Sequence, residues 1–383
     1  MARVDVNPDV LRWALDRSGE QGIVSEKFPV TEWINKEKRP TLKQLENFAR
    51  STSVPLGYFF LSKPPEEEQL PIPHFRTGER YTTRPSPNLL ETVQTMERRQ
   101  GWMRDYLIEL GQEPLPFVGS VTLADDPKHV ARKIRSTLGL ENGWAGKCQN
   151  WQEALSMLRE KIEEAGIMVV VNGVVGNNTR RKLDVNEFRG FVLVDEYAPL
   201  IFVNGADGKA AQMFTLAHEL AHIWFGASAA FDLKRLHPSD NEIEQACNQT
   251  AAEFLVPEKE LRQIWAEIRR ESDRFQKIAR KFKVSELVAA RRTLDLKLIT
   301  KNEFFEFYRK RLEIERERGT TQESSGGDFY ATQRLRIGRR FAEAVIRATN
   351  EGKLLYREAY RLTGLTGKTF PEFAKRLGFG IDS

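Results

Sequence analysis

The sequence predicts an α+β protein that is mostly helical, with a small three-stranded sheet set between helical ends. Three observations predict it. Over most of the 383 residues, apolar side chains recur at helical spacings of three and four. Between about residues 167 and 203 the period changes: GIMVVVNG, FRGFVLVD and APLIFVN are short β-branched and aromatic runs bounded by Gly, Asn and Asp, which read as strands. That block leads into FTLAHELAHIWFG (214–226), an almost wholly apolar helix that nonetheless carries two histidines and a glutamate.

Taken in order, residues 1–62 read as a small bundle resembling a helix-turn-helix domain. PDVLRWALDRSG places Leu11, Ala14 and Leu15 inward, and PTLKQLENFARST places Leu42, Leu45, Phe48 and Ala49 on one face. Residues 63–88 are rich in proline and charge and read as a linker lying extended across a neighbour. Helical spacing resumes at about Leu89, and Trp151 to Ala165 is amphipathic through Leu155, Leu158 and Ile162. After the three strands and the histidine-bearing helix come NEIEQACNQTAAEFLVPEKELRQIW and FQKIARKFKVSELVAARRTLDLKLIT, both helical, which bring the central domain to residues 89–318. A Gly/Ser-rich linker at 319–328 precedes a helical segment at 329–383, in which no chemistry is identifiable.

Composition narrows the class. With 40% hydrophobic and 30% charged residues the chain is a globular protein, neither fibrous nor disordered. No apolar run approaches the roughly 18 residues of a membrane helix, and the charged start lacks a signal-peptide core, so a cytoplasmic protein with no membrane partner is expected. Two cysteines, Cys148 and Cys247, exclude a four-cysteine zinc site and imply no disulfide framework. A net charge of +5 permits nucleic-acid contact without arguing for it.

A buried helix that carries titratable groups must pair them, neutralise them or give them a metal. His218 and His222 are four apart and share one helical face, so both rings can bind one Zn²⁺, while Glu219 is displaced around the helix as a general base beside a Lewis acid. The alternative is two core histidines satisfied by hydrogen bonds. The following helix offers Glu242, Glu244 and Glu253 as a third ligand. Glu244 is preferred because Asn248 follows one turn later, where its amide can fix a ligand histidine's tautomer; Glu242 is the second choice. His237 reads as a loop histidine, with an oxyanion role as its other reading, and the oxyanion donor stays open among tyrosines and arginines. Cys247 reads as a small buried residue rather than a redox switch. A strand such as Phe188 to Asp195 would pair with an extended substrate at the sheet edge.

MFTLAHELAHIWFG followed by IEQACNQTAAEFLVP resembles the ImmA/IrrE family of metallo-endopeptidases, which are of the gluzincin type. The family's Ala-Asn, Phe-Ala-Ala, double leucine and Met-Pro positions are held here by Cys247-Asn248, Thr250-Ala251-Ala252, Phe254-Leu255 and Val256-Pro257; the small and apolar slots are kept while some identities differ. LPIPHFRT, LPFVGS, NEFRGFVLVD and APLIFVNGADGKAAQMFTLAHELAHIW extend the resemblance to long members with an N-terminal helix-turn-helix of the Xre type, over most of residues 8 to 310. The resemblance implies a zincin-like domain with Zn²⁺ on His218, His222 and Glu244. It further implies Glu219 as the base that activates water, and a repressor or antitoxin-like protein as substrate. Zinc suits two histidines and one glutamate best, with manganese or iron as other occupants.

DNA is the open partner. Trp33 before INKEKRPT matches the Xre pattern, but GIVSEKFPVTEW leaves little room for the usual second and recognition helices, and Pro29 interrupts it. A second helix-turn-helix-like segment spans about 272–300, with Ala279, Phe282, Val284 and Val288 as its core, Ser285 as a cap and Arg291-Arg292 on its second helix. An ordinary helical hairpin explains that segment equally well. The rival to the enzyme is accordingly a DNA-binding regulator or antitoxin whose protease-like domain mainly binds a partner.

Overall fold

The computed structural model describes residues 3–18, 21–52, 54–65, 74–75, 85–231, 241–318 and 328–380. The chain divides into two compact units, Met1–Pro71 with Glu79–Gln94, and Ile72–Gly78 with Thr95–Ser383.

The first unit contains α1 (Pro8–Ser18), α2 (Gln21–Lys27), α3 (Val30–Ile34) and α4 (Leu42–Thr52). Phe48 organises its core: the ring lies 5.6 Å from Phe28, 5.7 Å from Trp33 and 5.5 Å from Phe59, all near edge-on. Leu11, Ala14 and Leu45 are fully buried around it, as their spacing predicts, whereas Leu42 in the first turn of α4 points outward at 42% exposure. Pro29 starts α3 rather than breaking a longer helix, because a fixed φ and a missing N–H cost nothing at a helix N-terminus. Pro87–Gln94 of α5 (Pro87–Glu109) belongs to this unit and the rest of α5 to the second.

The second unit is built on a five-stranded sheet. Its strands are β1 (His74–Phe75), β2 (Met168–Asn172), β5 (Gly190–Leu193), β6 (Leu200–Asn204) and β7 (Ala229–Phe231), in the order β1-β7-β5-β6-β2; β3 (Val174–Val175) and β4 (Asn178–Lys182) form a separate hairpin. The three predicted runs are β2, β5 and β6, adjacent in the sheet, with β2 and β6 parallel and β5 antiparallel to β6. Their continuous burial explains why they read as unbroken apolar runs rather than alternating ones. One expectation is corrected. The strand within Phe188 to Asp195 is not an open edge, because β5 is hydrogen-bonded on one side to β6 and on the other to β7, which β1 flanks in parallel. The segments that supply β7 and β1 are too short and too polar in context to announce themselves as strands.

Helices α6 (Pro127–Thr137), α7 (Trp151–Glu164), α8 (Lys209–Phe225), α9 (Glu242–Leu255), α10 (Glu258–Ile268), α11 (Arg274–Phe282), α12 (Glu286–Asp295) and α13 (Lys301–Arg318) share one core with the face of the sheet that carries Val169, Val192 and Ile201. The stretch read as one helix after the histidines is two, separated where Pro257 cannot continue α9. The α11–α12 pair turns through Lys283 at φ 53°, and Ser285 caps α12 by accepting from Val288 N. Arg292 of α12 is turned inward, donating to Val256 O at 3.1 Å, and is unavailable at a surface.

Of the C-terminal helices α14 (Phe329–Ile337), α15 (Arg339–Asn350), α16 (Tyr356–Thr363) and α17 (Thr369–Arg376), α14 and α15 lie against β2 at the far edge of the sheet, and α16 packs on α15. Gly338 makes the close approach possible, since at φ 85° a Cβ would stand 2.8 Å from Val169 O. Glu163 of α7 accepts from Arg340 N at the start of α15, and Arg99 of α5 donates to Leu362 O and Arg336 O at 2.9 Å each. Among the described residues no helix is long and apolar enough to cross a membrane.

Candidate metal centre

Helix α8 runs from an N-cap at Gly208 to Gly226, whose φ of 72° lets the chain leave the helix in the left-handed conformation. Every residue from Gln212 to Trp224 is buried, so its polar groups must find partners inside the protein. Helix α9 packs across α8, starting at Asn241, which accepts from Ile243 N. Its C-terminal end is held by two buried arginines: Arg135 of α6 donates to Glu253 O and Phe254 O, and Arg292 donates to Val256 O. Cations at the last carbonyls of a helix are favoured by its dipole, and here they set where the rest of α9 lies.

That packing brings Glu244 to the two histidines. His218 Nε2 lies 3.2 Å from Glu244 Oε2, His222 Nε2 lies 3.2 Å from Glu244 Oε1, and the two ring nitrogens are 3.1 Å apart. His218 and His222 are fully buried and Glu244 nearly so. Among the described residues, His218, His222 and Glu244 are the group of side chains that could hold a metal ion. A tetrahedral ion with ligands about 2.0–2.1 Å away separates neighbouring ligand atoms by roughly 3.3 Å. The observed spacings approach that value, and two nitrogens with one oxygen are a donor set that zinc accepts, so the residues present fit a metal.

Charge agrees with the geometry. Burial holds the His218 imidazole down to about 4, so it is neutral and has a lone pair to offer. Burial pushes the Glu244 carboxyl up, but the hydrogen bonds and charges of His218 and His222 outweigh it and hold the group down at about 2, an anion. The trio therefore joins a neutral His218 ring and a Glu244 anion in the buried interior. Asn248, one turn after Glu244, reaches the His218 ring and favours its protonated form. Glu242 is exposed at the start of α9 and stays out of the trio. Glu253 is engaged elsewhere, with Arg292 and with Glu258 N.

Glu219, next to His218 in α8, is fully buried, with neither carboxylate oxygen hydrogen-bonded among the described residues. Burial first, and then the charge of Glu244, raise its carboxyl well above the usual range. Cys247 is buried and its thiol is likewise pushed well up by burial, which fits the small packed residue expected rather than a reactive thiolate. His129 is exposed on α6, and His237 lies outside the described residues.

Gly190 was not singled out from sequence. Its ideal Cβ would stand 2.5 Å from Thr215 Cγ2, 2.9 Å from Phe202 O and 3.1 Å from Glu219 Oε1. The strand can approach Glu219 only because residue 190 has no side chain. A glycine inside an apolar strand run is the available signal for such an approach.

No curated protein matches the chain. Residues 337–376 match the model of a domain of unknown function, which covers the last residue of α14 and all of α15, α16 and α17. Residues 162–294 match the model of the IrrE N-terminal-like domain, a peptidase family, so that His218, Glu219, His222 and Glu244 all lie within the part of the chain that is similar to that peptidase domain.

Proposed function

We propose that the protein is a zinc-dependent endopeptidase that cleaves a regulatory protein, repressor-like or antitoxin-like, with Glu219 as general base. The observation that carries the reading is the convergence of His218, His222 and Glu244 with a buried carboxyl one residue from the first ligand. His218, His222 and Glu244 would hold Zn²⁺, which when bound would supply the Lewis acidity for water activation near neutral pH and for polarising a peptide carbonyl. Glu219 accepts a proton from the attacking water as the new C–O bond forms. It returns that proton to the amide nitrogen as the C–N bond breaks, leaving a carboxylic acid and an amine. Asn248 steadies the His218 ring. The apolar walls of α8 exclude bulk water, which strengthens each of these interactions.

The test is metal content by mass spectrometry on wild type, His218→Ala and Glu219→Gln, together with hydrolysis of fluorescein-labelled casein. The expected result is about one zinc per chain in wild type and in Glu219→Gln, little in His218→Ala, and cleavage by wild type alone. Absence of bound metal after zinc is supplied at neutral pH would remove the reading.

A further inference from the structure

The strand beside Glu219 has no open edge, and the chain's own residues fill it. Gly190 brings β5 against Glu219. On the side away from β6, β5 pairs antiparallel with β7: Gly190 with Phe231, Phe191 with Ala230, and Val192 with Ala229. The Val194 N–H extends this pairing by donating to Ser228 Oγ at 2.9 Å. The segment arrives directly from the end of α8, where Ala227 N donates to His222 O at 3.1 Å. On its other side β7 is covered by β1, His74 with Ala230 and Phe75 with Phe231.

A peptide recognised through its main chain needs a strand edge, because the unpaired N–H and C=O groups supply the affinity. For a peptide bond to lie near Glu219, the edge of β5 is in the right place. We infer that Ala229–Phe231 is a built-in competitor for that edge: substrate enters as an extended segment antiparallel to β5 once β7 has left, and with β7 in place the peptidase is held off. This rests on the peptidase reading and adds its regulation and the form of its substrate. β7 is three residues long. A longer extended segment replaces every main-chain bond that β7 gives up and adds more, so exchange favours an unfolded or flexible target over a folded one. β1 adds a second layer, since removing it exposes one side of β7.

The experiment uses the full chain and fluorescein-labelled, carboxymethylated casein as an unfolded probe. Ala230→Pro removes an N–H from β7 and disfavours its strand geometry. In a Glu219→Gln background, which binds without cleaving, Ala230→Pro is expected to tighten casein binding several-fold. With Glu219 intact it is expected to speed casein hydrolysis by a similar factor. Val192 and Ala229 are directly opposed, within reach of a disulfide. The Val192→Cys/Ala229→Cys protein, oxidised with diamide, is therefore expected to cleave more slowly than wild type and to recover on reduction with a phosphine. This second variant decides the matter if the proline variant does not fold. Unchanged or weaker binding in Ala230→Pro, or a cross-linked protein as active as its reduced form, would overturn the inference. Tighter binding by Ala230→Pro without cleavage by any zinc-loaded chain would keep the strap and sink the peptidase reading instead.

Discussion

Arg292 of α12 pairs with Glu253 of α9 where both side chains are only 9% exposed. Neither residue belongs to the metal trio, yet the pair joins the helix that carries Glu244 to α12. The same guanidinium donates to Val256 O, and the Glu253 carboxylate accepts from Glu258 N at the start of α10. Removing one partner leaves a buried charge without its counterpart, which typically costs about 3–5 kcal/mol, more than the pair is worth as a whole. Arg292→Met is therefore expected to lose stability on that scale in urea titration, and Arg292→Met with Glu253→Leu to recover much of it. A double variant no better than the single would show that packing, not charge, sets the loss.

Gly190→Ala tests the approach of β5 to Glu219. The added methyl meets Phe202 O and Thr215 Cγ2 inside normal contact distance, and Glu219 is the most movable of its three neighbours. Overpacking of this kind costs about 1–3 kcal/mol. Because the methyl does not touch His218, His222 or Glu244, zinc content is expected to stay at wild-type level while casein hydrolysis falls. Loss of zinc in this variant would mean that the strand supports the ligands themselves.

What was legible in the sequence follows from local chemistry. His218, Glu219 and His222 lie within one helical turn, so their geometry is set by the helix and can be read from spacing alone. Glu244 lies on another element, but Asn248 one turn later marked the face of α9 that turns inward. The β2, β5 and β6 runs were legible because burial on both faces leaves them continuously apolar. Long-range pairing was not legible. Nothing in Ala229–Phe231 or His74–Phe75 announces strands of two or three residues that form by pairing with segments distant in sequence. The docking of the C-terminal helices was hidden likewise, since it depends on Gly338 meeting Val169 from far along the chain. Arg292 read only as a basic residue on the second helix of the helix-turn-helix-like segment, because sequence does not reveal that Glu253 faces it.

Acid should act first at the junction of α6 and α10, where Glu258 is paired with Lys128 and Arg262 at 2.6 Å each. Hydrogen bonds from Lys128 and Arg262 hold its carboxyl down at about 2, against roughly 4.3 in an unfolded chain. A carboxyl lowered on folding stabilises above its unfolded value, so this contribution is complete above about pH 4.3 and disappears as pH falls toward 2. Both cations are about half exposed, so the effect stays near the modest size of surface pairs, and salt reduces it. Urea midpoints of wild type and Glu258→Gln should differ at pH 6 and converge toward pH 2. A gap that persists unchanged at pH 2 would show that shape rather than charge is responsible.

Asn248 separates a ligand from the group that orients it. Glu244→Gln removes the one anionic donor of the trio, so zinc is expected to be lost almost entirely. Asn248→Ala leaves all three donors in place and removes the amide that reaches the His218 ring. Partners of this kind typically contribute about 10–100-fold in metal affinity. Competition with a fluorescent zinc chelator should therefore give three ranks: wild type tightest, Asn248→Ala weaker by that factor, and Glu244→Gln with little retained zinc. Asn248→Asp is the informative companion, because a carboxylate would still engage the His218 ring while adding negative charge beside the trio. Affinity restored by Asp but not by Ala would assign the role to orientation of the ring, whereas equal loss in both would place Asn248 among residues that only pack α9 against α8.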